Sequence, residues 1–77
     1  QHAHHAERLA EVLAVCSSQE ATAADIVPIM FKRALDAHQL AFAMGEALAH
    51  LHALYYDGQL TRTVGADGVI RFSAVDR

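Results

Sequence analysis

One long segment without a helix breaker decides what this chain can become. Between Asp36 and Asp57 the sequence runs for about six helical turns with only Gly45 to weaken it, and Gly58 stands just beyond. Asp36 can cap this helix, and Gln39, three residues on, can close a capping box. Gly58 is the residue type that ends helices in a left-handed turn. At helical spacing Leu40, Met44, Ala47, Leu48, Leu51, Leu54 and Tyr55 share one face, which must pack on other elements. A helix of this length in a chain of 77 residues leaves room for one modest core, so a single small domain is expected.

The remaining elements are shorter. In Ala6 to Cys16 the residues Leu9, Val12, Leu13 and Cys16 recur at helical spacing, with Glu7, Arg8 and Glu11 on the other side. Ser17, Ser18 and Gln19 break the pattern and predict a turn. Thr22 is a candidate N-cap three residues before Asp25, whose charge suits a positive helix end. Ile26, Val27, Met30 and Phe31 form the apolar stripe of this second helix, and Pro28 inside it predicts a short or kinked segment. After Gly58 the period changes from helical to alternating. Leu60 to Val64 and Val69 to Val75 read as strands around the sequence GADG, a hairpin signal. A three-residue loop of Ala66, Asp67 and Gly68 pairs Val64 with Ile70 and Leu60 with Ala74, and it alone keeps Leu60, Val64, Ile70 and Phe72 on one face. The expected fold is mainly α with a small β-hairpin: a three-helix winged helix-turn-helix over residues 6–77. Because the chain starts at Gln1 rather than a methionine, residues 1–5 are expected as a mobile segment or linker from an upstream domain.

Composition narrows the function. Hydrophobic residues make up 53% and charged ones 19%, which places the chain among globular proteins. Six basic against nine acidic side chains give a net charge of −3, the wrong sign for a protein that must neutralise phosphates. A lone Cys16 excludes an internal disulfide framework and suits a reducing, cytoplasmic compartment. No apolar run approaches the length of a membrane span, and no signal peptide is visible. Of the six histidines, His2, His4 and His5 sit at the chain start without a following Asp-His, His50 and His52 diverge on a helix, and His38 is turns away from both, so no metal site is expected. Cys16 belongs to an apolar stripe, Ser17, Ser18 and Thr22 occupy turn or cap positions, and Gly65 and Gly68 have no helix after them to cradle a phosphate. No catalytic and no cofactor-binding residue is expected in these 77 residues.

The third helix of a winged helix is the element that can enter a DNA groove. Here it carries no Lys or Arg from Asp36 to Asp57, and its non-core positions include Gln39, Glu46, His50 and Asp57. Lys32, Arg33, Arg62 and Arg71 flank it, so a DNA-binding module of a transcriptional regulator is the alternative function. What replaces cations is a second apolar face of His38, Ala41, Phe42, Gly45, Ala49, His52 and Tyr56. A helix apolar on two sides is normally covered on both, and this chain lacks the mass to do it alone. The face is therefore expected to meet another domain or a second copy. The competing reading is an alanine-rich surface, favoured for helix propensity, with an incidental Phe42.

The stretch HQLAFAMGEALAHLHALYYDGQL, preceded by TAADIVPIMF and followed by GADGVIRF, resembles the winged-helix domain at the C-terminus of many metallo-β-lactamase-fold hydrolases, the β-lactamase-associated winged helix. The most characteristic piece is AHL-x-x-L-x-x-x-G, here Ala49, His50, Leu51, Leu54 and Gly58; the opening HHAERLAEVL is similar as well. The resemblance covers nearly the whole chain. It implies a non-catalytic accessory domain of a metal-dependent hydrolase, whose zinc or other divalent ion is held by an HxHxDH motif in an N-terminal catalytic domain. That motif is absent here, and HAHH departs from it. Only the helix pattern around His50 carries over, and no catalytic residue does. The implied partner is the protein's own N-terminal catalytic domain, against which the module would help shape substrate access. RNA enters only through such a parent, with Lys32, Arg33, Arg62 and Arg71 flanking a cleft.

Overall fold

The computed structural model describes residues 2–75, with side chains from His5 onward. The order is α1 (His2–Ser18), α2 (Ala23–Met30), α3 (Ala37–Tyr56), β1 (Leu60–Val64) and β2 (Ile70–Ala74). Three helices followed by an antiparallel hairpin give the winged-helix arrangement expected from the sequence. Helix α1 starts at His2, so residues 2–5, expected as part of a linker, belong to the helix instead. The side chains of His2 and His4 lie outside the described residues.

Local chemistry sets the helix ends. Ser17 and Ser18 turn their hydroxyls back onto the Leu13 and Val15 carbonyls as α1 stops. Thr22 caps α2: the Asp25 amide donates to its Oγ1 and the Thr22 amide donates to the Asp25 carboxylate. Pro28 lies inside α2, where it removes one amide donor, and the helix ends two residues later, with Phe31 already extended. On α3, the Gln39 amide donates to Asp36 Oδ1 at 2.7 Å and the Asp36 amide to Gln39 Oε1 at 3.1 Å, closing the box read from the sequence. At the far end the Gln59 amide reaches the Leu54 carbonyl and the Gly58 amide the Tyr55 carbonyl, a Schellman motif. It needs a left-handed residue, which Gly58 supplies at φ 80°.

The core is built from Val12 and Cys16 of α1, Ile26, Val27 and Met30 of α2, Ala43, Ala47, Leu51 and Leu54 of α3, and Leu60 and Phe72 of the hairpin. The buried face of α3 differs from the one read from its large residues. Ala43 and His50 are buried, whereas Leu40 and Leu48 stand 45% and 36% exposed. Helices approach most closely over small side chains, so Ala43 and Ala47 take the centre of the contact. His50 can join them because its Nδ1 bonds the Glu46 carbonyl at 2.7 Å, leaving no orphaned donor there.

The hairpin has the expected register, Leu60 opposite Ala74 and Val64 opposite Ile70. Its loop is closed by the Gly65 amide on the Val69 carbonyl, with Gly68 at φ 80°. Only the base of the apolar face is buried: Phe72 is 1% exposed and Val64, at the tip, 63%. A backbone bridge absent from the sequence reading secures the base. The Ala21 amide donates to the Phe72 carbonyl at 2.9 Å, and the Phe72 amide to that of Ala21 at 2.8 Å. The wing is thereby hydrogen-bonded to the α1–α2 connector.

Candidate docking surface

The molecule measures 36 × 34 × 19 Å, and its short dimension holds about two helix layers. Among the described residues nothing lies over the outside of α3. His38, Ala41, Phe42, Gly45, Ala49 and Tyr56 all face outward there. Phe42 is 65% exposed and Tyr56 78%, so two aromatic rings bracket a floor of small residues. A Cβ built on Gly45 would meet nothing within 4 Å, so this glycine answers no packing need inside the domain.

His52, the remaining member of the expected face, is half-buried and turned toward the wing. Its Nδ1 donates to the Leu48 carbonyl at 2.9 Å, which leaves Nε2 as the acceptor for Arg62 Nη1 at 3.0 Å. The ring meets Phe72 edge-on, with centroids 5.4 Å apart, and the Arg62 guanidinium also lies over the Tyr55 ring at 5.1 Å. A helix projection places His52 with Ala49 and Tyr56, but it cannot show that the wing folds back to reach the imidazole.

Two grooves meet at the start of the outer strip. One is lined by His5, Arg8, Met30, Phe31, Phe42, Glu46 and His50. The other is lined by Phe31, Arg33, Leu35, His38, Gln39 and Phe42. The His5 and His50 rings are 5.1 Å apart, and the Arg8 guanidinium donates to the Met30 carbonyl at the end of α2. Sequence reasoning missed Phe31 and Leu35 as surface lining. Phe31 falls on the periodicity of α2 and packs half-buried against the core as that periodicity predicts, but the helix has ended before it and its ring also lines both grooves.

Three of the four flanking cations are held by protein groups. Lys32 faces Glu11 at 4.0 Å, Arg71 pairs with Asp67 at 3.0 Å, and Arg62 is occupied by His52 and Tyr55. Arg71 and the Val69 amide hold the Asp67 carboxyl below the usual carboxylate range. Only Arg33 has no such partner among the described residues. For the groove of a nucleic acid this is a poor inventory.

No three His, Cys, Asp or Glu among the described residues converge on a metal position. His50 spends Nδ1 on a carbonyl and His52 uses both nitrogens, so the side chains here do not fit the zinc or other divalent ion of a hydrolase centre. Cys16 is buried, and desolvation pushes its thiol above its ordinary value, the opposite of what a nucleophile needs. Among the described residues no helix is long and apolar enough to cross a membrane.

Residues 9–75 match the family described as Metallo-beta-lactamase-like, C-terminal domain. The chain belongs to that family. A crystal structure of a beta-lactamase domain protein from Burkholderia ambifaria is similar to it at 53% identity and a TM-score of 0.93. The likeness covers 96% of this chain and 22% of that one, so this C-terminal domain spans about a fifth of the solved relative. No functionally curated protein matches it. The resemblance read from the AHL-x-x-L-x-x-x-G stretch and the hairpin thus names the family correctly.

Proposed function

We propose that this metallo-beta-lactamase-like C-terminal domain is a non-catalytic accessory module that docks through the outer face of α3 onto the catalytic part of a metal-dependent hydrolase. There it helps to shape access of substrate. The observation that carries this reading is the outer strip itself. Phe42 and Tyr56 stand 65% and 78% exposed around the open floor at Gly45 and Ala49, with no cation on the helix. Contiguous apolar surface of this kind marks a protein interface. Catalysis, with its zinc or other divalent ion, belongs to the rest of the parent protein, and a protonated, buried Cys16 suits a cytoplasmic setting. Helix α1, from His2 on, belongs to the module rather than to a linker, and an upstream domain would join at its start.

Gly45→Leu in the full-length protein tests the reading. A Cβ at this exposed position meets nothing within 4 Å, so the fold should persist while the two parts of the protein dissociate, seen as separate thermal transitions in place of one. A single unchanged transition overturns the proposal. Duplex DNA titrated at low and moderate salt separates the regulator alternative: tight, salt-steep binding would favour it, and weak binding is expected.

A further inference from the structure

The outer strip of α3 is not uniform along its length, and the difference indicates where docking is centred. At its far end Tyr56 stands beside the wing, where His52 and Arg62 are already engaged with each other. At its near end Phe42 forms a wall shared by two adjoining grooves, with Phe31 common to both. Their volumes, about 260 and 250 Å³, fall below the roughly 300 Å³ at which small-molecule sites begin. Each suits an inserted side chain.

We propose that these paired grooves on either side of Phe42 seat apolar side chains of the upstream domain of the same polypeptide, with a carboxylate of that domain on Arg33. The proposal rests on the docking role above and locates its centre. Three observations select this occupant. His5, in the first turn of α1, lines the first groove, so chain arriving at α1 reaches the protein beside Phe42. The family is a C-terminal domain and the solved relative is more than four times longer, so the bulk of such a protein arrives from this side. Arg33 lines the second groove without an ion-pair partner among the described residues, whereas Lys32 next to it is paired with Glu11. An acidic neighbour would complete it.

The test compares Phe42→Glu with Tyr56→Glu in the full-length protein, reading the rate of limited proteolysis in the segment just upstream of α1. Both rings are mostly exposed, so neither change should unfold the domain. Phe42→Glu is expected to speed cleavage about tenfold, and Tyr56→Glu to leave it within about twofold. Arg33→Glu, on the connector outside any helix, should speed it severalfold at low salt; this gives a second reading that needs no change on α3. Equal effects of Phe42→Glu and Tyr56→Glu, or an effect of Gly45→Leu alone, would overturn the groove as the centre while leaving docking through α3 intact. If none of the four variants opens the protein, both proposals fall.

Discussion

Gly45 costs this domain stability that nothing within it recovers. Glycine in a helix interior is less favourable than alanine by about 0.8–1 kcal/mol, and Gly45 lies mid-way along α3, with φ in the ordinary helical range and nothing within 4 Å of a built Cβ. Gly45→Ala should therefore stabilise the 77-residue chain by about 0.8–1 kcal/mol. For a domain of this size such a gain raises the melting temperature by about 4–8 °C. Ala43→Leu, two residues away, is the internal control. Ala43 is 1% exposed between packed helices, and overfilling that contact should cost about 1–3 kcal/mol. Urea and thermal unfolding of the two variants measure both effects on one scale. A loss or no change for Gly45→Ala would refute the reasoning, since it would mean that something inside the domain already uses the missing Cβ. A gain in the isolated chain together with a loss of inter-domain contact in the full protein is the signature of a glycine kept for a neighbour.

Further outcomes follow from the wing and its base. Phe72→Ala removes the largest fully buried side chain and should cost about 3–5 kcal/mol. That is a large share of the roughly 4–12 kcal/mol available to a chain this short, so chemical denaturation should show a severely weakened fold. A double-mutant cycle over His52→Ala and Arg62→Ala should return a coupling of about 0.5–1 kcal/mol for the imidazole–guanidinium contact, and additivity would show that the contact is idle. The lowered Asp67 carboxyl contributes stability above its unfolded value, near pH 3.9, and loses it as pH falls through the folded value. Urea midpoints of wild type and Asp67→Asn should thus differ at neutral pH and converge in acid; a constant gap would exclude the Arg71 pair as its source.

Much of this molecule could be read from its sequence because its boundaries are set by local chemistry. Asp36 with Gln39, Thr22 with Asp25, and Gly58 act within a few residues, and each is where the spacing placed it. The hairpin register followed from keeping large residues on one side. Most of the buried face of α3 was legible, since Ala47, Leu51 and Leu54 lie where spacing put them; Leu40 and Leu48 stand out and Ala43 goes in, because periodicity weights residues by size whereas close helix packing selects small ones. His50 entered the core through a bond to its own helix, which hydropathy counts as a penalty. On the outer strip, the exposed members needed only helix geometry, so Phe42, Gly45, Ala49 and Tyr56 lie where expected. His52 did not follow, since it is held by a strand ten residues on, and the groove-lining side of Phe31 could not be seen because α2 ends before it.

The two hydrogen bonds joining Ala21 to Phe72 have a consequence for how the domain is made. Synthesis delivers α1, α2 and α3 before the last strand, and the buried ring and the backbone that clasps the first connector arrive together at residue 72. A nascent chain halted before that point carries helices with neither plug nor fastener. Cutting the chain ahead of Phe72 would thus remove ring and clasp in one step and leave the apolar sides of the helices uncovered.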